Sequence, residues 1–256
     1  MANLLIEGNI VHEDADNTNG GNYGIAVDPG FYGTLEGFTN AIIRGNKVIN
    51  AGGIGIGATS APGIIIENNV VIFDNPVKYA QAIAVPDRTR PDIAMADDRA
   101  TIRNNSIYFS MAAAGQSGIG MNTEGSNHTV VSNAIYFAGT AGNSGFACFD
   151  TTGLTAPQFA AFDDNLCYFP NASRGTWEVN TGSLASWRTS SGLDMHSIQA
   201  DPQYNSPGAP NYDLSITSGS PAINAGSTTL SSPTDFTGKS RGANPDLGAF
   251  EFGSSG

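Results

Sequence analysis

The run Ile66-Glu67-Asn68-Asn69-Val70-Val71-Ile72-Phe73 decides the fold. Its pattern is an aliphatic residue, two variable residues, an Asn, one variable residue and another apolar residue. The same pattern stands at Ile6-Glu7-Gly8-Asn9-Ile10-Val11, Ile43-Arg44-Gly45-Asn46-Lys47-Val48 and Ile102-Arg103-Asn104-Asn105-Ser106-Ile107. Weaker copies are Val130-Val131-Ser132-Asn133-Ala134-Ile135 and Phe162-Asp163-Asp164-Asn165-Leu166-Cys167. The asparagines follow one another at intervals of 37, 23, 36, 28 and 32 residues. A constant rung with loops of varying length is the mark of a solenoid. Each copy precedes a second short strand: Ile25-Ala26-Val27, Ile54-Gly55-Ile56, Ile83-Ala84-Val85, Ile119-Gly120-Met121, Phe146-Ala147-Cys148 and Trp177-Glu178-Val179. Apolar ends around a small middle residue read as half-buried strands. Gly, Asn and β-branched residues exclude helices. The sequence predicts an all-β, right-handed parallel β-helix of about six coils, with an irregular C-terminal segment packed on its outside.

At a sharp corner an Asn side chain replaces missing backbone partners and tolerates the left-handed conformation. Asn9, Asn46, Asn69, Asn105, Asn133 and Asn165 are expected in one stacked column. The fourth residue beyond each Asn gives an inner column containing Phe73, Phe109, Phe137 and Phe169. The third gives an outer stripe: His12, Ile49, Ile72, Tyr108, Tyr136 and Tyr168. Such a stripe does not stay bare in water. It is expected to lie under the C-terminal segment; in the alternative, Tyr108, Tyr136 and Tyr168 stack sugar rings. The second short strand presents a different outer face. Alternation assigns to it Gly24, Ala26, Gly55, Gly57, Ala82, Ala84, Gly118, Gly120, Ala147 and Phe149.

Residues 1–183 are read as the coils, 184–252 as a packing module and 253–256 as a tail of vector origin. Acidic residues outnumber basic ones 23 to 11, which argues against nucleic acid and against anionic membrane as partners. Cys148 and Cys167 read as buried free thiols, with one disulfide as the alternative. Low charge with abundant Asn, Ser, Thr and Gly suits a secreted protein, although Met1-Ala2-Asn3 shows no basic leader. The first rung begins next to Met1 with nothing to cap it, so weak end-to-end self-association is expected there.

From residue 4 to about 183 the chain resembles the pectate-lyase-like superfamily of right-handed β-helices. Trp187, Ala200-Asp201-Pro202, Ser218-Gly219-Ser220-Pro221-Ala222-Ile223-Asn224-Ala225-Gly226 and Asp246-Leu247-Gly248-Ala249-Phe250-Glu251 resemble a C-terminal module of bacterial secreted β-helix proteins. The resemblance implies binding or cleavage of polysaccharides along the second short strand. β-Elimination from a uronic acid needs a cation or Arg on the carboxylate, a base and an acid. Lys78 or Tyr79 is the candidate base, Arg88 or Arg90 the candidate clamp, and Asp87 with Glu124 a candidate Ca²⁺ site. No other cofactor is required. A non-catalytic glycan-binding or structural module is the competing reading. His128 and His196 have no visible nucleophile partner, so a hydrolase triad is not supported.

Overall fold

The computed structural model describes residues 1–14, 18, 20–29, 37–88, 95–122, 125–141 and 145–254. Three parallel sheets of six strands stack coil upon coil into a right-handed parallel β-helix. The first sheet holds Leu5–Glu7, Ile42–Arg44, Ile65–Glu67, Thr101–Arg103, His128–Val131 and Phe159–Asp163. The second holds Ile10–His12, Lys47–Ile49, Val70–Phe73, Ser106–Phe109, Ala134–Phe137 and Leu166–Tyr168. The third holds Tyr23–Val27, Ile54–Ala58, Gln81–Ala84, Ser117–Gly120, Phe146–Asp150 and Gly175–Glu178. No helix among the described residues is long and apolar enough to cross a membrane.

The corner between the first and second sheets is an asparagine ladder. Asn9, Asn46, Asn69, Asn105 and Asn133 each donate through Nδ2 to the Oδ1 of the next Asn at 2.9–3.1 Å. The same Oδ1 accepts the backbone N–H of the Asn one coil back. Each rung therefore satisfies donors that a tight corner orphans. Where the asparagines end, Ser197 takes their place: Asn165 N donates to Ser197 Oγ at 2.8 Å. Ile198 then bridges in parallel to Leu166. The C-terminal module thus adds an abbreviated seventh rung just after its helix Leu184–Ser191. Asp194 anchors it, taking the indole N–H of both Trp177 (2.8 Å) and Trp187 (2.9 Å). Burial pushes the Asp194 carboxyl up to about 6, against the hydrogen bonds from Ser197, Trp177 and Asn165.

The inner aromatic column forms over three coils and then changes geometry. Phe73, Phe109 and Phe137 stack with ring centroids 4.9 and 4.5 Å apart. The next ring on Phe137 is Phe146, from the third sheet, at 4.6 Å, and Phe169 meets Phe146 edge-on. On the same sheet Trp177, at the sixth coil, is fully buried with its ring centroid 5.5 Å from that of Phe149.

The outer stripe is covered. Ile49, Ile72 and Tyr108 join Tyr204, Leu214, Ile216, Ala222, Leu247, Ala249 and Phe250 in a second apolar core. Tyr108 is 8% exposed, and Tyr136 and Tyr168 are half-buried. At the other end of the stripe Tyr212 packs edge-on against His12. The sugar-stacking role is therefore withdrawn for Tyr108: the chain's own segment occupies that face. Docking runs along the residues just before the ladder. Asn68, Asn104 and Ser132 adopt left-handed backbone at the corner, with φ of 52°, 50° and 59°. Asn68 Nδ2 donates to Thr234 O, Asn104 Oδ1 accepts Ser232 N, and Ser132 Oγ accepts Ser227 N. Arg241 closes the segment from inside, bonding Glu251 Oε1 (2.6 Å), Asn68 Oδ1 (3.0 Å) and Gly248 O (2.8 Å).

Cys148 and Cys167 form a disulfide, so the reading of two free thiols is corrected. Strict alternation had placed Phe146 and Cys148 on one face of the strand and Phe149 on the other. The strand bends instead: Cys148 stays inward, where it meets Cys167 of the second sheet, and Phe149 turns inward beside it.

Candidate functional site

The bend makes two consecutive residues of each third-sheet strand face inward. A Cβ on Gly55 would meet Val71 Cγ1 and the Ala82 carbonyl, and one on Gly118 would fall 2.8 Å from Ile135 Cδ1. Those contacts are in the core, as are those of Ile56, Ile119 and Phe149. Gly24, Gly55, Ala82, Gly118 and Phe149, assigned outward by alternation, are corrected accordingly. What remains outside is two parallel rows. One is Tyr23, Ile54, Gln81, Ser117, Ala147 and Thr176; the other is Ala26, Gly57, Ala84, Gly120 and Asp150. Gln81 Nε2 donates to Ser117 Oγ at 3.2 Å along the first row. The second row carries nothing larger than a Cβ until Asp150, and its middle is buried: Asp87 lies over Gly57 and the Gln81 amide over Gly120.

A charged cluster stands at the early-coil end of this face, on the turns that follow the strands. Arg88 pairs with Asp28 through Nε and Nη2, both at 3.3 Å. Its guanidinium lies 6.0 Å from the centroid of the Tyr23 ring. Burial works against the Arg88 charge, but Asp28 raises its pKa overall. Thr59 donates its hydroxyl to Asp87 Oδ1. Asp87 Oδ2 lies over Gly57, where a Cβ would collide with it, and meets no donor among the described residues. Burial pushes the Asp87 carboxyl up to about 6; the Thr59 hydroxyl pulls the other way.

At the late-coil end a pocket of about 220 Å³ opens, lined by Gly115, Ser117, Ala147, Asp150, Thr176 and Val179 among others. Tyr79 sits at its rim. Its ring occupies the space a side chain on Gly115 would need, and the residue is 75% exposed with φ of 59°. A tyrosine so presented is an open aromatic face.

The sequence-predicted residues divide across this face. Asp87 and Arg88 are in one cluster, as expected, but Arg88 is committed to Asp28. Lys78 and Tyr79 precede the strand Gln81–Ala84 while Asp87 and Arg88 follow it, so strand length separates the candidate base from the candidate clamp. Arg90 and Glu124 lie outside the described residues. Asp87 is turned onto Gly57 and Thr59. Sequence reasoning missed Gln81, Ser117, Asp150 and Thr176, because finding them requires knowing where the strand bends. Gln81 and Ser117 open their strands while Asp150 closes its own, so no single repeat position marked them in the sequence. Glu178, at the end of the sixth strand of this sheet, is buried. It accepts from Asn180 N, Thr181 N and the Thr151 hydroxyl, holding a turn.

Elsewhere, Asp163, Asp164 and His196 bring possible ligand atoms within 4.8 Å of one another. Asp163 is already engaged by His196 N and Nδ1, both at 2.7 Å. This contact pins the C-terminal module to the sixth coil. The chain matches no protein-family model and no curated protein.

Proposed function

We propose that the protein is a secreted, polysaccharide-binding β-helix that holds an extended glycan along the outer face of its third sheet. One observation carries the reading: the second core built by the C-terminal segment draws on none of this face, which holds nothing larger than a Cβ at Gly57, Ala84 and Gly120 and meets solvent at Gln81, Asp150 and Thr176. A row of amide and hydroxyl groups flanks it, with an exposed Tyr at one end. Small residues let a ligand approach the backbone, and hydroxyls and amides serve sugar hydroxyls. The resemblance to the pectate-lyase-like superfamily points to the same face. The Cys148–Cys167 disulfide fits an oxidising, extracellular setting.

Cleavage is less well supported than binding. β-Elimination on uronic-acid glycans would draw on Asp87 and Arg88. The carboxyl is closed over Gly57, and the guanidinium is held by Asp28. The test is affinity electrophoresis against a panel of neutral and uronic-acid polymers, run beside an assay for unsaturated products with and without Ca²⁺. Retardation without product absorbance is expected. No retardation by any polymer sinks the binding reading, and a rising absorbance restores the lyase.

The first coil offers a second contact. Leu5 and Ile10 are 48% and 74% exposed on its edge strands, and edge strands template pairing. Weak association of two copies through this edge would appear as concentration-dependent sedimentation that strengthens with salt.

A further inference from the structure

We propose that the pocket at Asp150 selects neutral, hydroxyl-rich sugar units and rejects uronic-acid units, an inference that rests on the polysaccharide reading above. Among the described residues lining the pocket, Asp150 is the charged one. One of its oxygens accepts Thr152 N at 3.1 Å, and the other carries no hydrogen bond among the described residues. A carboxylate so placed accepts from vicinal sugar hydroxyls, and hydrogen bonds to an ionised acceptor are about twice as strong as neutral ones. The same carboxylate faces a uronate with like charge in a partly enclosed site, where water screens least.

The surrounding groups agree with this selectivity. Thr176 and Ser117 add hydroxyls, and Val179 adds an apolar wall. Tyr79 at the rim offers its ring to the C–H face of a sugar, a contact indifferent to charge. The cations nearby do not line the pocket. Lys78 stands exposed on the turn beside Tyr79. Arg174 meets the pocket edge through its backbone carbonyl, which accepts Phe146 N at 3.1 Å. At the far end of the face Arg88 is paired with Asp28. A uronate polymer therefore finds a carboxylate at one end and a neutralised guanidinium at the other.

The test uses the full chain and titrates xylan, β-glucan and galactomannan oligosaccharides against oligogalacturonate and oligoalginate at low salt, with and without Ca²⁺. The expected result is binding of at least one neutral oligosaccharide, with the uronates tenfold or more weaker. Asp150→Asn keeps an acceptor for Thr152 N and should fold normally by circular dichroism. It should weaken the neutral ligand about tenfold and narrow the gap to the uronates. Tyr79→Ala should weaken both classes alike. Tighter binding of a uronate by the unaltered protein, with or without Ca²⁺, overturns the selectivity while leaving the polysaccharide reading intact. An unchanged neutral affinity in Asp150→Asn overturns it too. Failure of every oligosaccharide to bind removes the polysaccharide reading and this inference with it.

Discussion

The outer faces of the second and third sheets are built on the same coils and have opposite fates. The second sheet presents Ile49, Ile72 and Tyr108 outward, and the chain returns to cover them with Tyr204, Leu214 and Phe250. The third carries Gln81, Ser117, Gly120 and Asp150 outside that second core, and it meets solvent at Gln81 and in the pocket at Asp150. An apolar outer stripe on a solenoid marks where the chain will pack on itself. A cleared polar stripe marks where another molecule is admitted. The covered face carries packing that supports the fold, and the third sheet carries the proposed binding strip.

The covered face should break first. Arg241 is buried against Glu251, Asn68 and Gly248. Arg241→Ala leaves a buried carboxylate without its partner, and removing one member of a buried pair costs about 3–5 kcal/mol. The expected result is a lowered thermal midpoint with early exposure of the Tyr108 face to quenchers. A midpoint unchanged from the parent would show that the segment is held elsewhere. The disulfide comes next. Cys148→Ala with Cys167→Ala opens a crosslink spanning 19 residues, a loss of about 2–4 kcal/mol by denaturant unfolding. Glycan affinity should be untouched, because both sulfurs lie inside the coil.

The open face should give the opposite sign. Asp87 has its folded pKa raised from 3.8 to about 6, so the folded state binds its proton more tightly than the unfolded chain does. The associated stability is fully present below pH 3.8 and is lost as pH rises through about 6. Asp87→Asn is freed from the ionised, buried carboxylate. Above pH 7 it should be more stable than the parent by up to about 3 kcal/mol, and the gap should close as pH falls toward 4. Denaturant midpoints across that range decide the matter: a variant less stable at pH 8 would show that the carboxylate is a net support of the turn.

The coils were legible in the sequence because their determinants are local and repeated. Ile43, Asn46 and Val48 recur with the same roles on every coil, so six weak signals add up to one strong one. The Asn column and the covered stripe followed from that register. The site was less legible. Strict alternation failed at the bend, which placed Gly55 and Gly118 outward when they pack inward. It also hid Asp150. A bend in a strand is set by tertiary packing against two sheets at once, and no local pattern announces it. Ser197 was missed for a related reason: a Ser can stand in for the ladder Asn only because Asp194 and both indoles surround it.

The smallest effect tests that bend directly. Gly118 and Gly120 are two residues apart on one strand, and simple alternation gives them the same face. The structure gives them different surroundings. A Cβ on Gly118 falls 2.7 Å from the Cys148 carbonyl and 2.8 Å from Ile135 Cδ1, both fixed in the core. A Cβ on Gly120 meets the amide of Gln81, the far end of a flexible side chain, 3.1 Å from its Cδ. Overpacking a core costs about 1–3 kcal/mol because neither backbone nor β-branched neighbour can yield. A surface side chain swings away, and such substitutions stay within about 0.5 kcal/mol. Gly118→Ala should therefore lower the denaturant midpoint clearly, and Gly120→Ala should leave it nearly where it was. The functional consequence runs the other way, since Gly120→Ala pushes Gln81 into the cleared strip and should weaken glycan binding while Gly118→Ala does not. Equal stability losses at the two positions would mean that the strand alternates without a bend. The open face would then have to be redrawn, with Asp150 returned to the opposite side.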